Sequence, residues 1–75
     1  MRTLHTIAKE IRQEWAKVSP YAEPYLEAME SLDSINDNYY FDSAREIVLR
    51  FLSWANTWRG DDARRIKAEL KSMLK

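Results

Sequence analysis

Apolar residues return every three or four positions along almost the whole of this chain, and no segment keeps the strict alternation of a half-buried strand. That period admits helices packed on helices and little else. The punctuation agrees, since one Gly and two Pro leave few places to turn. Seventy-five residues suffice for a single core. The expected fold is one all-α domain over residues 1–75, a compact bundle of three to four helices with one longer loop at about 33–42.

The first helix is expected from about Leu4 to Val18, capped by Thr3, with Leu4, Ile7, Ala8, Ile11, Trp15 and Val18 on one face. Ser19-Pro20 stops it and opens a second helix, with Ser19 as cap and Pro20 at the first helical position, while Pro24 disfavours helical geometry at Glu23 and offers a later start. Tyr21, Tyr25, Ala28, Met29 and Leu32 line the inner side of that helix. Asp33 to Asp42 is dense in Asn, Asp and Ser and has the composition of a loop. Its Tyr39-Tyr40-Phe41 run is expected to find partners, because three exposed aromatics are sticky. Ser43-Ala44-Arg45-Glu46 has the form of a capping box and opens a third helix to about Ala55 or Thr57. The apolar arc Ala44, Ile47, Val48, Phe51, Leu52, Trp54, Ala55 and Trp58 is wide enough for a central helix touching all the others. Only Leu49 is stranded on its polar side. Gly60 either follows the third helix's C-cap, with Asp61 capping the last helix, or sits in the first turn of a helix capped by Thr57. Both readings place Asp61 and Asp62 at an N-terminus, where the helix dipole favours acids. The last helix then runs to the end with Ala63, Ile66, Leu70, Met73 and Leu74 inward.

Twelve Lys+Arg balance twelve Asp+Glu, which excludes a uniformly basic nucleic-acid binder and an acidic DNA mimic. The zero hides a segregation. Val18 to Glu46 holds seven acids and one base, net −6, and the two flanks carry +2 and +4. With no Cys and one His, thiolate metal sites, cysteine nucleophiles and imidazole clusters are absent. Glu10/Glu14 and Glu23/Glu27/Glu30 share helical faces, but the histidines of a helical di-metal site are missing. There is no Gly-rich phosphate loop and no His-Glu-x-x-His. A non-enzyme with no cofactor and no metal is expected. The longest apolar runs are two or three residues, too short to cross a bilayer. The opening MRTLHTIAKEIRQEW lacks the continuous apolar core of a secretory signal. The expected location is therefore cytoplasmic, with no membrane partner.

Trp58-Arg59-Gly60 is the most distinctive local feature. An indole, a guanidinium and an unhindered glycine amide beside a helix N-terminus can stack a base and hold a phosphate. Tyr39 and Tyr40 offer a second stacking surface. On the last helix Arg64, Lys67, Lys71 and Lys75 fall within about 80° of one another, a positive ridge for phosphates or for an acidic protein surface. The plainer reading puts Trp58 in the core, Gly60 in a turn and the cations on a solvated flank whose stems cover the core edge. Asp61 and Asp62 stand where they repel a phosphate, and Arg65 faces elsewhere to pair with Asp61 or Glu69. A helix-turn-helix nucleic-acid regulator using the last helix is the second functional reading, weakened by the same two acids at the end that would enter the groove. A purely structural, self-associating protein is the third, since Leu49 and the Tyr-Tyr-Phe run suit a homo-oligomer.

The C-terminal half, SAREIVLRFLSWANTWRGDDARRIKAELKSMLK, resembles small proteins of phages and other mobile elements, with AREIV, NTWRG and ARRIKAEL as the recognisable blocks and a likeness running from Thr6 to Leu74. The resemblance attaches no named family and brings no catalytic residues. It implies a binding role in which a host protein or a small anionic, nucleotide-like ligand is inhibited or sequestered in the host cytoplasm.

Overall fold

The computed structural model describes residues 2–75. Helices α1 (Leu4–Glu14), α2 (Glu23–Met29), α3 (Ala44–Trp54) and α4 (Asp61–Met73) are joined by turns, and a short antiparallel ribbon, β1 (Asn38–Tyr39) with β2 (Asp42–Ser43), precedes α3. The fold is mostly helical but not purely all-α. Inside the segment expected as loop, Asn38 pairs with Ser43 and Tyr39 with Asp42. Two residues per strand are too few for any alternation to show in the sequence.

Two of the expected hydroxyl caps form, at Thr3 and Ser43, whereas Ser19 does not cap α2, whose N-cap is Ala22. Thr3 accepts from the Thr6 amide at 3.1 Å and Ser43 from the Glu46 amide at 3.2 Å. The capping box at Ser43 is half made, because the Glu46 carboxylate accepts from Arg50 instead, at 3.0 Å. Helix α1 stops at Glu14, short of Val18, since Trp15 is extended (φ −111, ψ 90). Helix α2 starts late, with Pro24 in its first turn, while Ser19-Pro20 belongs to a turn in which the Ser19 carbonyl accepts from the Ala22 and Glu23 amides, both at 3.0 Å. Tyr21 therefore precedes the helix and is exposed, and Leu26, outside the expected inner set, is fully buried.

The core is built on Phe51 with Leu4, Ile7, Ile11, Leu26, Met29, Val48, Ile66 and Leu70, and holds no buried polar or charged residue among those described. Helix α1 packs on α2 and α4, and α2 packs on α3. Helix α3 packs most closely on α2, while its Phe51 meets Trp15 at the end of α1 and its Arg45 reaches the Leu74 carbonyl at the end of α4. Part of its wide arc is spent differently: Trp54 is half-exposed, and Trp58 reaches the core from the turn beyond the helix.

Arginines staple the helices. Arg12 on α1 holds Glu23 at 2.6 Å and Glu30 at 2.8 Å, so the basic N-terminal flank neutralises part of the acidic middle. Arg65 on α4 reaches back to Glu10 at 2.6 Å, and Arg2 binds both Glu10 and Glu69. The Arg65 and Arg2 guanidiniums hold the Glu10 carboxyl below its ordinary value, and Arg2 does the same for Glu69.

Two outcomes are expected. A depressed carboxyl adds stability above its ordinary value of 4.5 and loses it as the pH falls through the lower folded value. The urea midpoint should therefore drop below pH 4.5, and less steeply in the Glu10→Gln/Glu69→Gln variant. Second, Tyr40 sits at φ 55, in the left-handed region, at the first position of the two-residue hairpin turn. Left-handed strain of about 1–2 kcal/mol exceeds the roughly 0.5–1 kcal/mol of extra unfolded-state freedom that a glycine brings. Tyr40→Gly should raise the thermal midpoint; a fall would mean that the edge contact of Tyr40 with Tyr39 at 4.7 Å outweighs the strain.

Candidate functional site

The corner between α3 and α4 is made by a turn that only glycine permits. Helix α3 is followed by its C-cap Ala55, the Trp58 amide donates to the Ala55 carbonyl at 3.1 Å, and Gly60 follows at φ 115, ψ 176. Side-chain-bearing residues avoid that region. Gly60 itself occupies the N-cap of α4, which corrects both sequence readings of this turn, and Asp61 and Asp62 form the first turn as expected.

Trp58 anchors the corner. Its indole is 4 % exposed and lies parallel to Trp15, centroids 5.4 Å apart at 8°, while Trp15 meets Phe51 edge-on at 6.2 Å. Of the two readings of Trp58, the core position is the one observed, and with its surface taken by the core the indole is not free to stack a ligand's base. The residue still lines the pocket wall, and its carbonyl accepts from Lys67 Nζ at 2.6 Å, with the ammonium 5.9 Å from the ring centroid.

The pocket has a volume of about 270 Å³ and is open, walled by Trp58, Arg59, Gly60, Ala63, Arg64 and Lys67. Two guanidiniums and an ammonium converge there with no carboxylate in the wall. Among the described residues Arg59 and Arg64 have no ion-pair partner. Of the two acids expected to repel a phosphate, Asp62 is carried away by the helical twist, while Asp61 remains in the first turn beside Gly60. Asp62, Arg65 and Glu69 fall on the flank of α4 that faces α1, where Asp62 accepts from Arg65 at 3.2 Å and raises the carboxyl of Glu14. Arg65 pairs with Glu10 and Asp62 rather than with Asp61 or Glu69. Arg64, Lys67 and Lys71 fall on the opposite flank, within about 60° of one another at helical spacing. Burial first, then the charges of Lys71 and Arg59, hold the Lys67 ammonium below the ordinary lysine value. Its destabilised charge is one that a bound anion offsets.

Five of the residues expected at a site (Trp58, Arg59, Gly60, Arg64 and Lys67) thus share one pocket, with Lys71 a turn beyond Lys67 and outside the wall. Tyr39 and Tyr40 are not brought there. They sit before the N-terminus of α3, whose 11 residues separate them from the corner by about 16 Å. Tyr39 is half-buried against the core, Tyr40 is 85 % exposed with only the edge of Tyr39 against it, and Phe41 is fully exposed. A stacked pair that the sequence did not signal, Tyr21 on Trp54 at 4.8 Å, lies on the α2 side of α3; spacing had assigned both rings to the interior.

No protein-family model, curated protein or solved structure matches the chain. No group of three or more His, Asp or Glu is placed to hold a metal, and no helix is long and apolar enough to cross a membrane, among the described residues. With two guanidinium forks and a tethered ammonium, the pocket is equipped to hold an anion by charge and hydrogen bonds. Gly60→Ala tests the corner's geometry. No atom stands within 4 Å of the added methyl, so a loss of about 1–3 kcal/mol in chemical denaturation is expected from backbone conformation alone.

Proposed function

We propose that this is a small non-enzymatic binding protein that takes an anionic group at the α3–α4 corner. Following its resemblance to phage and mobile-element proteins, we assign it the role of inhibiting or sequestering a host component in the host cytoplasm. One observation carries the reading: Arg59, Arg64 and Lys67 converge on an open pocket whose wall contains no acid, while Arg2, Arg12, Arg50 and Arg65 are spent on carboxylates. Because Trp58 is sealed against Trp15 and no other aromatic lines the wall, the pocket selects for a phosphate-like head rather than for a stacked base. The helix-turn-helix reading is less favoured, since Asp61 and Asp62 occupy the first turn of the helix that would enter the groove.

Titration calorimetry with inorganic pyrophosphate at low salt tests the reading. The wild type should bind with an affinity that falls as salt rises, and Arg59→Ala/Arg64→Ala should weaken binding at least about tenfold with unchanged helicity. Equal affinity in the double variant overturns the assignment of the site. Tighter binding of duplex DNA than of pyrophosphate, lost on removing Arg64, Lys67 and Lys71 together, transfers it to the nucleic-acid reading.

A further inference from the structure

We infer that the seam between α3 and α4, continuous with the cationic corner, is a docking surface for an acidic protein segment that also carries apolar side chains. The inference rests on the anion-binding reading of the corner and names the class of partner.

The helices adjoin in the order α3, α2, α1, α4, and the approach of α4 to α3 is looser than any of the three packed pairs. Each of these two helices has one flank already engaged. On α3, Trp54 meets Tyr21 on the α2 side, and Arg50 holds Glu46 on that same flank. On α4, Arg65 and Glu69 face α1 through Glu10 and Arg2. By helical spacing the remaining flanks are Arg45, Leu49 and Leu52 on α3 and Arg64, Lys67 and Lys71 on α4, the sides left for the seam between the two helices. It is bridged at its two ends, where Arg45 Nη1 donates to the Leu74 carbonyl at 3.0 Å and Lys67 Nζ to the Trp58 carbonyl at 2.6 Å.

Charge and apolarity on this seam define the occupant. The four arginines that hold carboxylates all lie on other faces, whereas Arg45, Arg59, Arg64, Lys67 and Lys71 hold none among the described residues. On the same flank of α3 as Arg45, Leu49 is 50 % exposed, and the half-buried Leu52 and Leu74 pack against the core. A bare phosphate or a nucleic-acid backbone satisfies the cations and leaves Leu49 wet. An acidic segment with leucine-like residues on one face satisfies both, with its carboxylates on the guanidinium forks and its apolar side chains over Leu49. Leu49, stranded by the helical pattern, acquires a purpose in that arrangement.

Fluorescence anisotropy with two synthetic probes tests this on the intact chain. One is a glutamate-rich peptide with leucines at three- and four-residue spacing; the other has serines in place of the leucines. The leucine peptide should bind at least about tenfold more tightly. Leu49→Ser should remove that difference while leaving pyrophosphate affinity at the corner unchanged, and Arg59→Ala/Arg64→Ala should weaken both peptides. Equal binding of the two peptides to the wild type overturns the inference while the corner's reading survives, provided that pyrophosphate still binds. Retention of the leucine advantage in Leu49→Ser also overturns it. So does sedimentation showing that the chain self-associates through Leu49, which makes a second copy the occupant.

Discussion

The stack of Trp58 on Trp15 is the contact on which the rest of the arrangement depends. It closes the far end of α1 against the α3–α4 turn, and with Phe51 edge-on to Trp15 it forms the aromatic floor of the core. Because the indole is fixed, its backbone carbonyl is fixed, and that carbonyl holds Lys67. Gly60 then redirects the chain through a conformation that side chains avoid, and α4 emerges with its cations beside the anchored ring. Large buried aromatics matter more in a chain this short than in a larger one, because few residues are available to exclude water.

Electrostatics divides the molecule in space more cleanly than along the chain. Arg2, Arg12 and Arg65 bind carboxylates across helix boundaries and stitch α1 to α2 and α4. Such half-exposed pairs contribute modestly one by one, but they fix which flank of each helix turns inward. Their pairing with Glu10, Glu23, Glu30 and Glu69 leaves Arg45, Arg59, Arg64, Lys67 and Lys71 without a carboxylate among the described residues. In a protein with zero net charge, the acidic middle of the sequence is partly cancelled by residues far from it in the chain.

Much of the helical architecture was legible because it follows from local physics. The hydroxyls of Thr3 and Ser43 cap the helices they precede, and the apolar spacing of α1 and α4 marks the side chains that are buried. The failures have local causes as well. Trp15 leaves the helix although its spacing fits, because stacking on Trp58 rewards an extended residue there. Tyr21 falls outside α2 because Pro24 suits a first turn better than an interior position. The ribbon at Asn38–Ser43 is too short to leave a pattern, and a tyrosine occupies the left-handed turn position where glycine would have announced a hairpin. Of the candidate site, the residues from Trp58 to Lys67 were found by their chemistry alone, since cations and a glycine beside a helix start stand out in a chain with one glycine.

By itself the sequence determined one helical core, the caps that start α1 and α3, and the gathering of arginines and lysines after Trp54. Only the tertiary structure decided that Trp58 faces inward, that Tyr39 and Tyr40 lie at the far end of α3, and that Asp62 turns toward α1 instead of into the pocket. The physical reason is the same in each case. Periodicity and capping are properties of neighbours in the chain, whereas the partner of an indole or a carboxylate is chosen among groups that meet only when the helices pack.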